Sequence, residues 1–140
     1  MTRLVSEDII DISAELQAYD RVLLQRTGLN LLGIACHAIQ VDRIQLCEFS
    51  KDRRFAVVPI GSGQGVIPRF SETVRDIIRH IGCRAELIEK SDVAGIAEAG
   101  EKQFDFIMMA DDLRFISLGM KNSHVVDNSA ATAKGFVAAL

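Results

Sequence analysis

Residues 55–72, FAVVPIGSGQGVIPRFSE, constrain the fold of this chain more than any other stretch. The run Phe55–Ile60 is apolar and β-branched, with the length of a buried strand. It breaks into Gly61-Ser62-Gly63-Gln64-Gly65, where closely spaced glycines allow positive φ and a close backbone approach to a ligand. Beyond Pro68 a helical pattern begins, with Ser71 expected at the N-cap and Glu72 in the first turn. Strand, glycine-rich turn and helix form a ligand-binding corner in α/β proteins, because backbone N–H groups and a helix N-terminus converge there. The same pattern also describes a tight strand-to-helix turn that binds nothing.

The 140 residues are enough for one domain with a real core. Hydrophobic residues make up 49% and charged residues 25%, and the net charge is −3. Basic residues do not gather with aromatics on a stripe, so nucleic-acid binding is not expected. The compact basic cluster Lys51, Arg53 and Arg54 is interrupted by Asp52 and reads as a solvated loop. No apolar run approaches the ~20 residues that span a bilayer. Acids at Glu7 and Asp8 do not suit a secretory signal. Cys36, Cys47 and Cys83 are odd in number and widely spaced, unlike a disulfide framework or a zinc site. These features together predict a cytoplasmic protein.

Before the glycine stretch, Ser6 is a plausible N-cap with Glu7 and Asp8 behind it. Ile9, Ile12, Leu16, Tyr19 and Leu23 recur at helical spacing and predict one helix ending near Arg26, with Gly28 as its stop. Asn30 can cap a second helix, which completes an αα-hairpin. Residues 41–54 fit either a short strand or a frayed helix. After the glycine stretch come a helix stopped by Gly82, a strand through Ala85–Ile88, a helix capped by Asp92, and a third strand over Phe104–Ala110. Phe115–Leu118 and His124–Val126 read as a β-hairpin or two edge strands, and Ser129 begins a last helix. The expected fold is therefore α/β: an N-terminal helical region (1–54), then a Rossmann-like, mainly parallel sheet with helices on both faces (55–140). The apolar ending, Gly135 to Leu140, implies a helix packed back on the sheet or a chain that continues.

Two strand ends deliver polar groups. One carries Gly61-Ser62-Gly63 and the other Asp111-Asp112, and in parallel sheets such ends line the ligand crevice. A hydroxyl beside a carboxylate suits a ligand with a cationic amine; adjacent acids can also hold Mg²⁺ or cap the following turn. GSGQGVIP lacks the third glycine of G-x-G-x-x-G and the Lys of a Walker loop. Ser62 lies outside a G-x-S-x-G elbow, which argues against a serine nucleophile. His80, in the last turn of a helix, and Met108 and Met109, on a strand, read as structural residues.

VVPIGSGQGVIPRFSE, SDVAG at 91–95, MADDLRF at 109–115 and VVDN at 125–128 occur in an order and spacing that resembles a known family. It is the N-terminal half of the pyrrolysine biosynthesis dehydrogenase, 3-methylornithyl-N6-lysine dehydrogenase (PylD family). SEDIIDISAELQAYD and the TGL at 27–29 also look like that family, and residues 41–54 fit it least. The resemblance implies an NAD-dependent enzyme that oxidises the terminal amine-bearing carbon of 3-methylornithyl-N6-lysine before the pyrroline ring closes. It implies that Ser62 and Asp111 bind the substrate's polar groups within the loop of Gly61, Gly63 and Gly65. Leu4, Ile60, Phe70 and Ala110 would form apolar walls, with Leu4 on a mobile helix that closes over the site.

No residue of this chain is expected to act as a catalytic acid or base, or as a metal ligand; positioning would supply much of the catalysis. The dinucleotide domain of the family is absent here, so no cofactor is expected on these residues and full dehydrogenase activity is not expected of them alone. The chain would then be a fragment, half of a split enzyme with a Rossmann-type partner in cis or as a separate chain, or a stand-alone relative. A homodimer is also compatible. Two other functions compete: a non-enzymatic module binding an anion or phosphate in the glycine loop, and a subunit that assembles through its apolar last helix.

Overall fold

Four helices precede the first strand of the computed structural model, which describes residues 5–140. They are α1 (Ser6–Ile9), α2 (Ile12–Thr27), α3 (Leu31–Ile39) and α4 (Arg43–Ser50). The single helix expected from Ser6 to Arg26 is thus two, separated at Ile10 and Asp11. Ser6 is already helical, and the Val5 N–H donates to the Asp8 carboxylate at 2.9 Å. The break has a packing reason: it lets Ile9 reach the sheet core while α2 lies along a later helix.

Gly28, at φ +76, ends α2, and its N–H donates to Leu24 O. Asn30 caps α3 by accepting from the Gly33 N–H at 2.9 Å. Residues 41–54, ambiguous in sequence, contain a capped helix. The Asp42 and Gln45 side chains each accept from the other's backbone N–H, at 2.8 and 3.0 Å, a capping box.

The sheet strands are β1 (Arg54–Val57), β2 (Arg84–Leu87), β3 (Phe106–Ala110), β4 (Phe115–Gly119) and β5 (Val125–Asp127), in the order β2-β1-β3-β4-β5. Phe55 stands opposite Ala85 on one side and Phe106 on the other, both in parallel register. Ala110 then pairs with Phe115, and Leu118 with Val125, both antiparallel. The sheet is mixed: β2, β1 and β3 are parallel, β4 and β5 pair antiparallel, so the α/β class holds and the expected mainly parallel, Rossmann-like sheet does not. Residues 111–114 are too few for a parallel crossover, which needs roughly a dozen, so β3 turns back into a hairpin.

Helices cover both faces. Val57, Ala85 and Ala110 pack against Ile9 of α1 and against Phe70, Val74 and Ile78 of α5 (Phe70–His80). Ala56, Val58 and Ile107 turn the other way, against Ala99 of α6 (Asp92–Glu101). This is the strand alternation expected of a sheet buried on two sides. Ala56, Ala99 and Ile107 are fully buried. The last helix, α7 (Asn128–Ala139), lies against α3 and the β4–β5 hairpin, and Asp127 caps it by accepting from the Ser129 N–H at 2.9 Å.

Besides Ser6, two more expected caps fall elsewhere. Ser71 is buried inside the first turn of α5, which starts after Arg69 in the left-handed region. Ser91, not Asp92, occupies the N-cap position of α6. Among the described residues, no single helix is long and apolar enough to cross a membrane.

Candidate functional site

Strands β1 and β3 are parallel neighbours, so the loops at their carboxyl ends emerge side by side. After β1 the chain passes Pro59 and Ile60, enters the glycine loop, and makes a short 3-10 turn over Gly63–Val66. Gly63, at φ +58, lies against the other loop: a Cβ there would stand 2.2 Å from the Asp112 nitrogen and 2.6 Å from the Asp111 carbonyl carbon. A Cβ on Gly65 would stand 2.1 Å from Ile60 O. These two glycines allow the loops to touch backbone to backbone, which no residue with a side chain permits.

Asp111 heads the turn from β3 into β4. Its Oδ1 accepts from the Leu113 N–H at 2.7 Å and the Arg114 N–H at 2.8 Å, while its own N–H donates to Arg114 O at 2.9 Å. The Arg114 N–H, followed by the Leu113 N–H, holds the carboxyl below the usual carboxylate range, and the Arg114 charge adds to this. Asp111 is therefore ionised at neutral pH. It performs the capping role open to it in sequence, and a carboxylate with four lone-pair sites still has capacity for a ligand. Arg114 in turn donates from Nε to Asp127 Oδ2 at 2.9 Å, tying this turn to the start of α7.

Ile60, Met109, Ala110, Asp111, Arg114 and Ile116 line a cleft of about 190 Å³. Three expected site residues, Ile60, Ala110 and Asp111, thus share one opening. Ile60 and Ala110 also line a second crevice with Gly65 and Phe70, which has no room for a water molecule. Phe70 faces this interior, buried and edge-on to Phe115 at 5.7 Å between ring centroids. Ser62 is exposed and outside the lining of the cleft, although Gly63 beside it touches the Asp111–Asp112 junction. Leu4 lies outside the described residues.

Three lining residues were not expected at the site: Arg114 and Ile116, and Met109, which reads as structural in the sequence. Asp111 signalled the turn that carries Arg114, since an Asp at a strand end often accepts from the backbone N–H two residues on, but the Arg114 side chain is held by Asp127, 13 positions away. Met109 and Ile116 are cross-strand partners in the β3–β4 hairpin, so their shared exposure depends on register.

The arrangement offers an ionised carboxylate at the edge of an apolar cleft, with the neighbouring Arg114 guanidinium paired to Asp127. That suits an amine carried on an aliphatic chain. It suits an anion less well, because two N–H groups of the glycine loop are already used: Gly61 donates to Asp92 Oδ1 at 2.8 Å and Gly65 to Ser62 O at 3.1 Å. Among the described residues, no three His, Cys, Asp or Glu side chains gather where they could hold a metal ion.

Residues 8–126 match the family model described as pyrrolysine biosynthesis protein PylD, N-terminal domain. Over 132 residues the chain is 32% identical to a pyrrolysine synthase of Methanosarcina barkeri (strain Fusaro / DSM 804). It is 31% identical to the pyrrolysine synthase of Methanosarcina acetivorans over the same length. Each match covers 94% of this chain and 48% of the relative, so the chain spans about half the length of the curated relatives it matches.

Proposed function

The chain belongs to the PylD N-terminal domain family, and from that premise we propose that it is the substrate-binding half of a dehydrogenase of pyrrolysine biosynthesis. The family supports the pathway; the finer assignment is a dipeptide-like substrate, 3-methylornithyl-N6-lysine, whose terminal amine-bearing carbon is oxidised before ring closure. The observation that carries this assignment is ionised Asp111 at the edge of the cleft walled by Ile60, Met109 and Ala110. An alkylammonium group pairs with Asp111 while its methylene chain lies on the apolar wall, so the amine and its carbon are held at one place.

The residues present do not fit a dinucleotide. The glycine loop lacks the G-x-G-x-x-G pattern, and the Gly61 and Gly65 N–H groups that would face a pyrophosphate are bonded within the protein. NAD is accordingly assigned to a dinucleotide domain outside these residues, and this chain's part is to bind and orient. Holding the reacting carbon in one place lowers the barrier by removing its translational and rotational freedom before reaction.

Calorimetric titration with 3-methylornithyl-N6-lysine tests this reading, with Asp111→Asn as the control. Asparagine retains an oxygen for the Leu113 and Arg114 N–H groups, so the turn survives while the charge is lost. Saturable binding to the wild-type chain that disappears in Asp111→Asn is expected. Equal binding by both, or binding of inorganic phosphate in place of the amine, would overturn it and favour an anion-binding module.

A further inference from the structure

We propose that Asp92 is a positioning residue, one that sets the glycine loop and the Ile60 wall against the substrate cleft; this rests on the assignment of that cleft above. Asp92 is bonded on both sides of Ile60. Its N–H donates to Pro59 O at 2.9 Å, and its Oδ1 accepts from the Gly61 N–H at 2.8 Å. Ile60 is thereby held between two residues that a single side chain and its backbone grip.

The site is shaped to allow this. A Cβ on Gly61 would lie 2.9 Å from Asp92 Oδ2, so a side chain there would push the carboxylate away. A Cβ on Gly95 would lie 2.4 Å from Lys90 O and 2.7 Å from Val58 Cγ1, so glycine at 95 lets the first turn of α6 press against the end of β1.

Asp92 itself adopts φ +54, the left-handed region that side-chain-bearing residues rarely occupy. Since Ser91 holds the N-cap position of α6, the Asp92 carboxylate reaches across to a loop 31 positions away. Unfavourable backbone kept where a polar side chain holds a binding loop is the pattern expected when geometry is maintained for a ligand.

Two substitutions separate positioning from stability. Asp92→Asn keeps an oxygen acceptor and a residue that tolerates the left-handed region. Asp92→Gly removes the acceptor and relieves the backbone. The measurements are amide hydrogen exchange at Gly61, the thermal midpoint, and the affinity for 3-methylornithyl-N6-lysine.

In Asp92→Gly, Gly61 should exchange about tenfold faster and affinity should fall about tenfold, while the thermal midpoint moves little, because lost strain offsets the lost bond. Asp92→Asn should stay near wild type in all three. Unchanged Gly61 exchange in Asp92→Gly would overturn the proposal. So would faster exchange across the whole chain with a matching fall in midpoint, the mark of a merely structural role. If the wild-type chain fails to bind the ligand, the assigned function fails, and the exchange at Gly61 still decides whether Asp92 positions the loop.

Discussion

The backbone of Gly63 lies so close to that of Asp112 that a methyl group on Gly63 would stand 2.2 Å from the Asp112 nitrogen. Two loops that belong to different strands are joined there without any side chain between them. Gly63→Ala meets two penalties at once, the left-handed φ of +58 and the clash with backbone that cannot swing aside. The combined cost should be about 2–4 kcal/mol, read as a lower midpoint in urea unfolding. A change within about 0.5 kcal/mol would mean that the loops part freely.

Phe70 separates two interpretations of one residue. As a wall of the cleft it would affect affinity; as a core side chain it affects stability. It is 7% exposed and packs with Val57, Val74, Ile78 and Ala110. Phe70→Ala should therefore cost about 3–5 kcal/mol by chemical denaturation. A loss below about 1 kcal/mol would show that the ring is not part of the core.

Acid should weaken the fold through Asp105. The Arg54 N–H holds this carboxyl below its ordinary 3.8, against the opposing effect of burial, with Lys121 and Arg53 assisting. The Arg54 N–H donates to Oδ2 at 2.9 Å, and Lys121 Nζ lies 3.0 Å from Oδ1. The folded pKa is depressed, so near and below that ordinary value the unfolded chain binds the proton first. The stabilisation is present above pH 3.8 and is lost as pH falls through the lower folded value. Asp105→Asn should thus be less stable than wild type at neutral pH, with the difference narrowing on acidification. Parallel stability curves from pH 7 to pH 3 would contradict it.

Local chemistry was legible wherever neighbours in the chain decide the conformation. Gly28 ends a helix and Asn30 begins one because cap geometry depends on atoms three or four residues away. The strand runs read correctly as strands, although β1 closes at Val57, just before Pro59, which has no N–H to donate. Residues 41–54 defeated the pattern because Ile44, Leu46 and Phe49 fit a strand as well as a helix. The Asp42–Gln45 capping box, also written in the sequence, would have resolved them.

The sequence alone was enough to set Ile60, Ser62, Ala110 and Asp111 at two strand ends, since strands and the turns after them are local. Only the tertiary structure decided that Ile60, Ala110 and Asp111 share a cleft, that Ser62 stands outside its lining, and that Phe70 faces the core. It also turned Asp92 from an expected helix cap into the partner of Gly61. The physical reason is range. Periodicity and capping report interactions within a turn or two, whereas a carboxylate has many possible donors, and the one it meets depends on which strands pair and how closely their loops pack.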